Sequence, residues 1–322
     1  MSVSRGTRLS SRPTWVLGVA FTLLLTVAWQ LCPAEVFAQE GPSQAFWPEV
    51  SPDGREVLFL SPGRAGPIHV MNADGSDPHR IAAGTRPMWF PDAKRIVAVA
   101  RSRVAERIVV MNADGSDPDT LPMMYRRYVW RPKVSPDGKS IVIGNYAPDG
   151  EERGFHAVFH VVGLDGSPIR DIHPSAAGEA VEATWSHDGR LAFVSFSRDA
   201  AEVLTSTTLY VMNGDGTGEH AVATLAGAAQ WISWSPDDRH VAMQQDDLER
   251  KNGNIVVVDV VMGTVHTITH HARHYFDETP SWSPDGHIYF QSNRDGAYAI
   301  YRMNADGSHQ ERLSPKGHGA GR

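Results

Sequence analysis

Ser283-Pro284-Asp285-Gly286, with Thr279-Pro280-Ser281-Trp282 before it and His287-Ile288-Tyr289-Phe290-Gln291 after it, is the phrase that decides the fold. It recurs as Ser51-Pro52-Asp53-Gly54, Phe90-Pro91-Asp92-Ala93, Ser135-Pro136-Asp137-Gly138, Ser186-His187-Asp188-Gly189 and Ser235-Pro236-Asp237-Asp238. Successive aspartates are 39, 45, 51, 49 and 48 residues apart, a spacing that identifies a repeat architecture. A second phrase follows roughly twenty residues after each: Met71-Asn72-Ala73-Asp74-Gly75, then 111–115, a weaker 163–166, 212–216 and 303–307. The fifth copy offers only Val260-Val261-Met262-Gly263.

Each copy reads as four strands. A short strand ends at the Pro-Asp-Gly turn, where proline presets the first dihedral, aspartate bonds the local backbone and glycine takes positive φ. A β-rich run follows, as in Glu56-Val57-Leu58-Phe59-Leu60. A third strand ends in Met-Asn, as in Leu209-Tyr210-Val211-Met212, and a brief fourth follows the Asn-Ala-Asp-Gly turn, as in His79-Arg80-Ile81. The second strands are apolar on both faces, as expected of a sheet sandwiched between neighbours. Six such units predict an all-β, six-bladed propeller of four-stranded antiparallel blades, with blades near 44–82, 84–121, 128–172, 180–223, 229–269 and 277–314.

Pro48, Pro87, Pro132 and Pro280 lie in the first strand of their copies. Proline cannot donate to a sheet ladder, so this strand must be an edge, and in a propeller that edge lines the channel. Trp89, Trp185, Trp234 and Trp282 then fill the gaps between adjacent blades as core residues.

Residues 1–38 read as a secretory signal: Arg5, Arg8 and Arg12, an apolar run from Trp15 to Leu31, then Val36-Phe37-Ala38 with small residues where processing needs them. The alternative is a retained anchor of about 17 residues, short for a bilayer span. With no Arg-Arg pair, the general secretory route is expected. Cleavage would leave residues 39–322, a periplasmic or secreted protein without a stable membrane span. It would remove three arginines, one glutamate and the only cysteine, Cys32, moving the net charge from −7 to −9. No disulfide, thiol nucleophile or thiolate metal site would remain. The longest basic run is within Tyr125-Arg126-Arg127-Tyr128, so the footprint of a nucleic-acid binder is missing.

The unit 279–296 with Ile300-Tyr301-Arg302-Met303-Asn304-Ala305-Asp306-Gly307-Ser308 resembles the WD40-like PD40 repeat of TolB-type propellers. The resemblance covers about residues 44–314 and implies a binding module of the cell envelope that engages protein partners. TolB proteins carry an α/β domain before the propeller, and the few residues between 38 and the first blade leave no room for one, so a propeller-only relative is expected.

Chemistry is sparse. Turn formation accounts for the aspartates of segments such as 72–77, which lack the spaced oxygen ligands of a calcium loop. No Gly-x-Ser-x-Gly elbow, His-Glu-x-x-His or phosphate-cradling glycine loop occurs. His270, His271 and His274, with Asp277 and Glu278 close by, could hold a divalent metal ion. Oligogalacturonate lyases share this repeat style and use a histidine-bound metal, so a metal-assisted polysaccharide lyase or hydrolase is the alternative reading; the first reading needs no cofactor. Aligning the copies on the turn puts Trp47, Arg86, Arg131, Glu182, Trp231 and Thr279 at one equivalent position. Trp and Arg dominate binding hot spots, so this ring, with Tyr125, Arg126 and Arg127 on a neighbouring loop, is expected to meet a peptide, protein or carbohydrate at the mouth formed by the blade-to-blade linkers.

Overall fold

A computed structural model describes residues 44–62, 66–101, 106–122, 131–146, 157–176, 178–247, 251–271 and 274–314. They form six four-stranded antiparallel sheets, each built from four consecutive strands paired in sequence order, at 46–83, 85–120, 133–172, 179–226, 229–267 and 277–312. These are blades 1 to 6. The proposed signal segment lies outside the described residues. No described helix is long and apolar enough to cross a membrane.

The first strand of every blade is an edge: Phe46–Val50, Thr85–Trp89, Lys133–Val134, Glu179–Trp185, Ala229–Trp234 and Asp277–Trp282. The second strand is sunk on both faces. Val57 to Leu60 are all buried in blade 1, and Leu191 to Phe196 in blade 4. The outer strand is the wet one, as Pro168–Ile172 shows with four exposed residues in five.

There is accordingly no single core. Six apolar clusters each lie between two adjacent blades. Leu58, Ile68 and Val70 of blade 1 meet Trp89, Ile96 and Ala98 of blade 2 in one. Val57, Phe59 and Met71 of blade 1 meet Tyr289 and Ile300 of blade 6 in another. The tryptophans sit in these seams as expected: Trp89 Nε1 donates to the Glu49 carbonyl of the preceding blade at 3.0 Å, and Trp234 Nε1 to that of Thr184 at 3.3 Å.

The ring therefore closes by packing rather than by a shared strand. Across the seam between the last blade and the first, Ala45 N donates to Tyr298 O at 3.0 Å and Val50 N to Ser281 Oγ at 3.1 Å. The glycine that closes the second turn of each blade contributes to every seam in a way that turn chemistry alone does not reveal. Gly115 has φ +82°, and a Cβ there would lie 2.2 Å from the carbonyl oxygen of Ile81 in the preceding blade. Gly75 stands in the same relation to Leu313, across the closing seam. Only glycine fits such a position, because both the backbone conformation and the close approach exclude a side chain.

Candidate binding channel

The aligned ring is a ring of backbone irregularities. Trp47, Arg86, Glu182, Trp231 and Thr279 have φ of 54°, 54°, 56°, 61° and 52°. In each case the pairing register of the inner strand shifts at that point, for example between Phe46 and Glu49 and between Gln230 and Ser233. A bulge of this kind re-aims a side chain and frees backbone groups from the ladder. Side-chain oxygens of the preceding blade take up two of the freed N–H groups. Glu182 Oε2 accepts from Trp231 N at 2.6 Å, and Gln291 Oε1 from Trp47 N at 2.7 Å.

The re-aimed side chains meet on the channel axis. Trp47 of blade 1 and Trp231 of blade 5 have ring centroids 5.7 Å apart. Arg131 of blade 3 lies 5.9 Å from the Trp231 ring and donates to Glu49 Oε2 of blade 1 at 3.2 Å. Blades 1, 3 and 5 are not neighbours, so these contacts cross the channel. Arg86, Arg131, Glu182 and Thr279 are buried, and Arg86 Nη1 pairs with Glu106 Oε2 at 3.4 Å. The structure thus places the ring inside the channel, where the sequence reading set it at the linker mouth. Burial pushes the Glu182 carboxyl up, with Arg131 and Lys133 pulling against it. Burial also draws the Lys133 ammonium down to about 8, opposed by Glu49 and Glu182.

On the other side of this ring, toward the Ser-Pro turns, lies a cavity of ≈ 460 Å³. All six blades line it. Its next tier holds Glu49, Met88, Lys133, Thr184, Ser233 and Ser281, two positions after the bulge. Its rim carries Pro52, Pro91, Pro136, Pro236 and Pro284, with His187 in the fourth blade where the others have proline. The turn serines are committed to their own turns: Ser51 Oγ donates to Asp53 at 2.7 Å, Ser135 to Asp137 at 2.6 Å and Ser186 to Asp188 at 2.5 Å. Trp89, Trp185, Trp234 and Trp282 belong to the seams and also border the cavity.

The histidine segment is elsewhere and is not gathered. His270 and His274 are exposed. His271 Nε2 lies 2.5 Å from Asp277 Oδ2, and Arg294 Nη2 lies 2.7 Å from both oxygens of that carboxylate. Burial would raise the Asp277 carboxyl, but His271 and Arg294 outweigh it and hold it low. Among the described residues no three His, Cys, Asp or Glu side chains are grouped to hold a metal. Tyr125, Arg126 and Arg127 lie outside the described residues. The sequence reading passed over Lys133; its place two positions after Arg131, at the tier facing the cavity, was the available signal.

The model of the TolB beta propeller domain, PD40, matches residues 147–320, more than half of the chain. The chain belongs to the TolB-type β-propeller family. An uncharacterized protein of Agrobacterium fabrum (strain C58) is 26% identical over 213 residues, covering 60% of this chain and 63% of the relative. The structure of TolB from Acinetobacter baumannii is similar with a TM-score of 0.64 at 16% identity, over 80% of this chain and 63% of that one. The tricorn protease is similar with a TM-score of 0.62 at 13% identity, over 86% of this chain and 26% of the protease. This TolB-type propeller spans less than two thirds of the length of each. Likeness at these identities establishes the propeller fold alone.

Proposed function

We propose that this TolB-type propeller is an exported binding module that holds a protein or peptide partner of the cell envelope at one mouth of its central channel. The observation that carries the reading is the turn-side cavity. It is contributed to by all six blades, falls within the volume range of ligand sites, and is closed from behind by the Trp47–Arg131–Trp231 contacts. Its rim of prolines over tryptophan edges is stiff and amphipathic, a surface that suits an extended chain segment. Binding rather than turnover is favoured because the rim serines spend their hydroxyl hydrogens on turn aspartates, and the His187 imidazole is held by Asp238 at 2.9 Å. The reading of residues 1–38 as a secretory signal supports an envelope or secreted location.

The test uses the exported protein, tagged at its C-terminus and purified from cells that process it. A photo-crosslinker is placed at the exposed rim positions 91 and 236, on blades three apart, and captured proteins from envelope extract are identified by mass spectrometry. In parallel, Pro91→Glu and Pro236→Glu are combined. The expected result is one protein crosslinked at the rim by the parent and lost from the double variant at an unchanged melting temperature. Equal capture by the folded double variant, or no protein crosslink at either position, overturns the reading.

A further inference from the structure

Lys133 is buried, lines the turn-side cavity, and makes no hydrogen bond or ion pair among the described residues. Its charged neighbours are otherwise engaged. Arg131 holds Glu49, and Glu182 caps the Trp231 N–H. Lys133 feels Glu49 and Glu182 at a distance, against the repulsion of Arg131, and touches none of them. The residue is buried while lining the cavity, and burial draws its ammonium down to about 8, so an anion brought into the cavity would favour its charged form.

The same cavity is lined by hydroxyls with hydrogens to give. Ser281 Oγ accepts from Val50 N at 3.1 Å, and Ser233 Oγ accepts from Trp282 N at 3.1 Å. In both, the lone pair is used inward and no described acceptor takes the O–H. The Thr184 side chain, at the same tier, makes no bond with a described residue. One cation and three hydroxyl donors, collected from four blades around one cavity, form an acceptor-seeking site.

We propose that the turn-side cavity takes a carboxylate group, with Lys133 as its counter-charge and Ser233, Ser281 and Thr184 as its hydrogen-bond donors. A monoanion fits better than a phosphate dianion. A single free ammonium neutralises one charge, and Glu49 and Glu182 stand close enough to repel a second. The carboxylate can come from the end or an acidic side chain of a peptide, or from a small organic acid. The proposal deepens the channel reading and rests on the turn side being the binding face.

The experiment is calorimetric titration of the purified protein with glutarate and with an acetylated tetra-alanine peptide, as free acid and as amide. Each titration is repeated between about pH 7 and 9.5, where ligand carboxylates stay ionised. The other ionisable groups near the cavity and its rim are Glu49, Glu182, Arg131 and His187; burial raises the Glu182 carboxyl, so Lys133→Met titrated over the same range separates any contribution of these groups from that of the lysine. The expected result is binding of the acids and not the amide, with proton uptake near pH 8 as the ligand raises the lysine pKa. Affinity should fall roughly tenfold per pH unit once the bound lysine must be protonated from a neutral pool. Lys133→Met should lose at least about tenfold in affinity. Equal binding of acid and amide, no heat from any carboxylate at millimolar concentration, or undiminished binding by Lys133→Met overturns it. Should Lys133→Met fail to fold, acetylation of Lys133 in the parent protein at alkaline pH provides the readout. Protection by glutarate supports the site, and unchanged labelling overturns it. Carboxylate binding without rim capture of a protein would sink the partner reading and leave the pocket; capture indifferent to Lys133→Met would do the reverse. Glutarate and peptide arms separate the two sources of the group.

Discussion

The two ends of the inner strands, a few residues apart, follow opposite rules. At the turn end the blades repeat one another. The serine hydroxyl donates to the turn aspartate in blades 1, 3, 4, 5 and 6, and in blade 2, where Phe90 replaces the serine, Asp92 still accepts from Lys94 N and Arg95 N. At the bulge end the backbone repeats and the chemistry does not. Five inner strands share a left-handed residue there, yet the six side chains are two indoles, two guanidiniums, a carboxylate and a hydroxyl. Symmetry at the turns builds the ring. Asymmetry on the axis gives the channel a chemical identity that the repeat does not supply.

The largest effect is expected from breaking the asymmetric end. Arg131 is the hub of the axis, bound to Glu49, set over Trp231 and pulling down the Glu182 carboxyl that burial raises. Arg131→Ala takes the ion-pair partner from Glu49 and one of the two cations acting on Glu182, and removing one partner of a buried ion pair costs about 3–5 kcal/mol. Arg131→Lys should recover only part, since an ammonium cannot stack on the indole and reach Glu49 as a planar guanidinium does. Denaturant unfolding of the three proteins measures this, and a loss below about 1 kcal/mol for Arg131→Ala would show that the axis is solvated rather than packed.

A smaller and pH-dependent effect is expected one residue before the bulge of blade 6. Burial pushes Glu278 up to about 7, with Asp246 adding repulsion, and burial pushes Asp246 up to about 6. An acid whose folded pKa is raised holds its proton better folded than unfolded. The wild-type protein therefore loses stability from these groups as pH rises from about 4.5 to about 7, and carries the full penalty above that. Glu278→Gln removes the charge and keeps an acceptor for Gln291 Nε2, which donates to Glu278 Oε2 at 2.5 Å. The variant should be more stable than the parent by on the order of 2 kcal/mol at pH 8, with the gain vanishing toward pH 4.5. Melting curves across that range decide it; a gain independent of pH would mean the carboxyl is not paying for ionisation.

What was legible in the sequence divides along the same line. The turns, the edge strands marked by Pro48, Pro87 and Pro280, and the seam tryptophans were all readable, because each depends on local dihedrals or on strand position. The ring position itself was found by aligning the copies on their turns. Its conformation was not, since a left-handed Trp47 or Thr279 leaves no mark in composition. Nor could the meeting of Trp47 with Trp231, or of Arg131 with Glu49, be read. These contacts cross the channel between distant copies, and linear spacing carries no trace of them. The three histidines are the opposite case: they are close in sequence, while the fold leaves His270 and His274 exposed and gives His271 to Asp277.

The smallest effect is expected at the symmetric end, and its smallness is the point. Ser135 Oγ donates to Asp137 Oδ1 at 2.6 Å and accepts from Ser140 N at 3.0 Å. Ser135→Ala removes both bonds from a partly exposed turn, for a loss of about 1 kcal/mol. The Asp137 carboxyl, held low chiefly by the Ser135 hydroxyl and then by the Lys139 N–H, should titrate closer to its ordinary value in the variant. A depressed carboxyl stabilises above its unfolded pKa and stops doing so as pH falls through its folded one. The deficit of Ser135→Ala should therefore shrink in acid, which NMR titration with parallel melting curves can follow. Blade 2 shows that a blade survives without this serine, so the channel should not notice its loss: glutarate affinity ought to match the parent. If Ser135→Ala weakened that affinity as much as Lys133→Met, the turn end and the axis would be one cooperative unit, and the division of labour along the inner strand would be wrong.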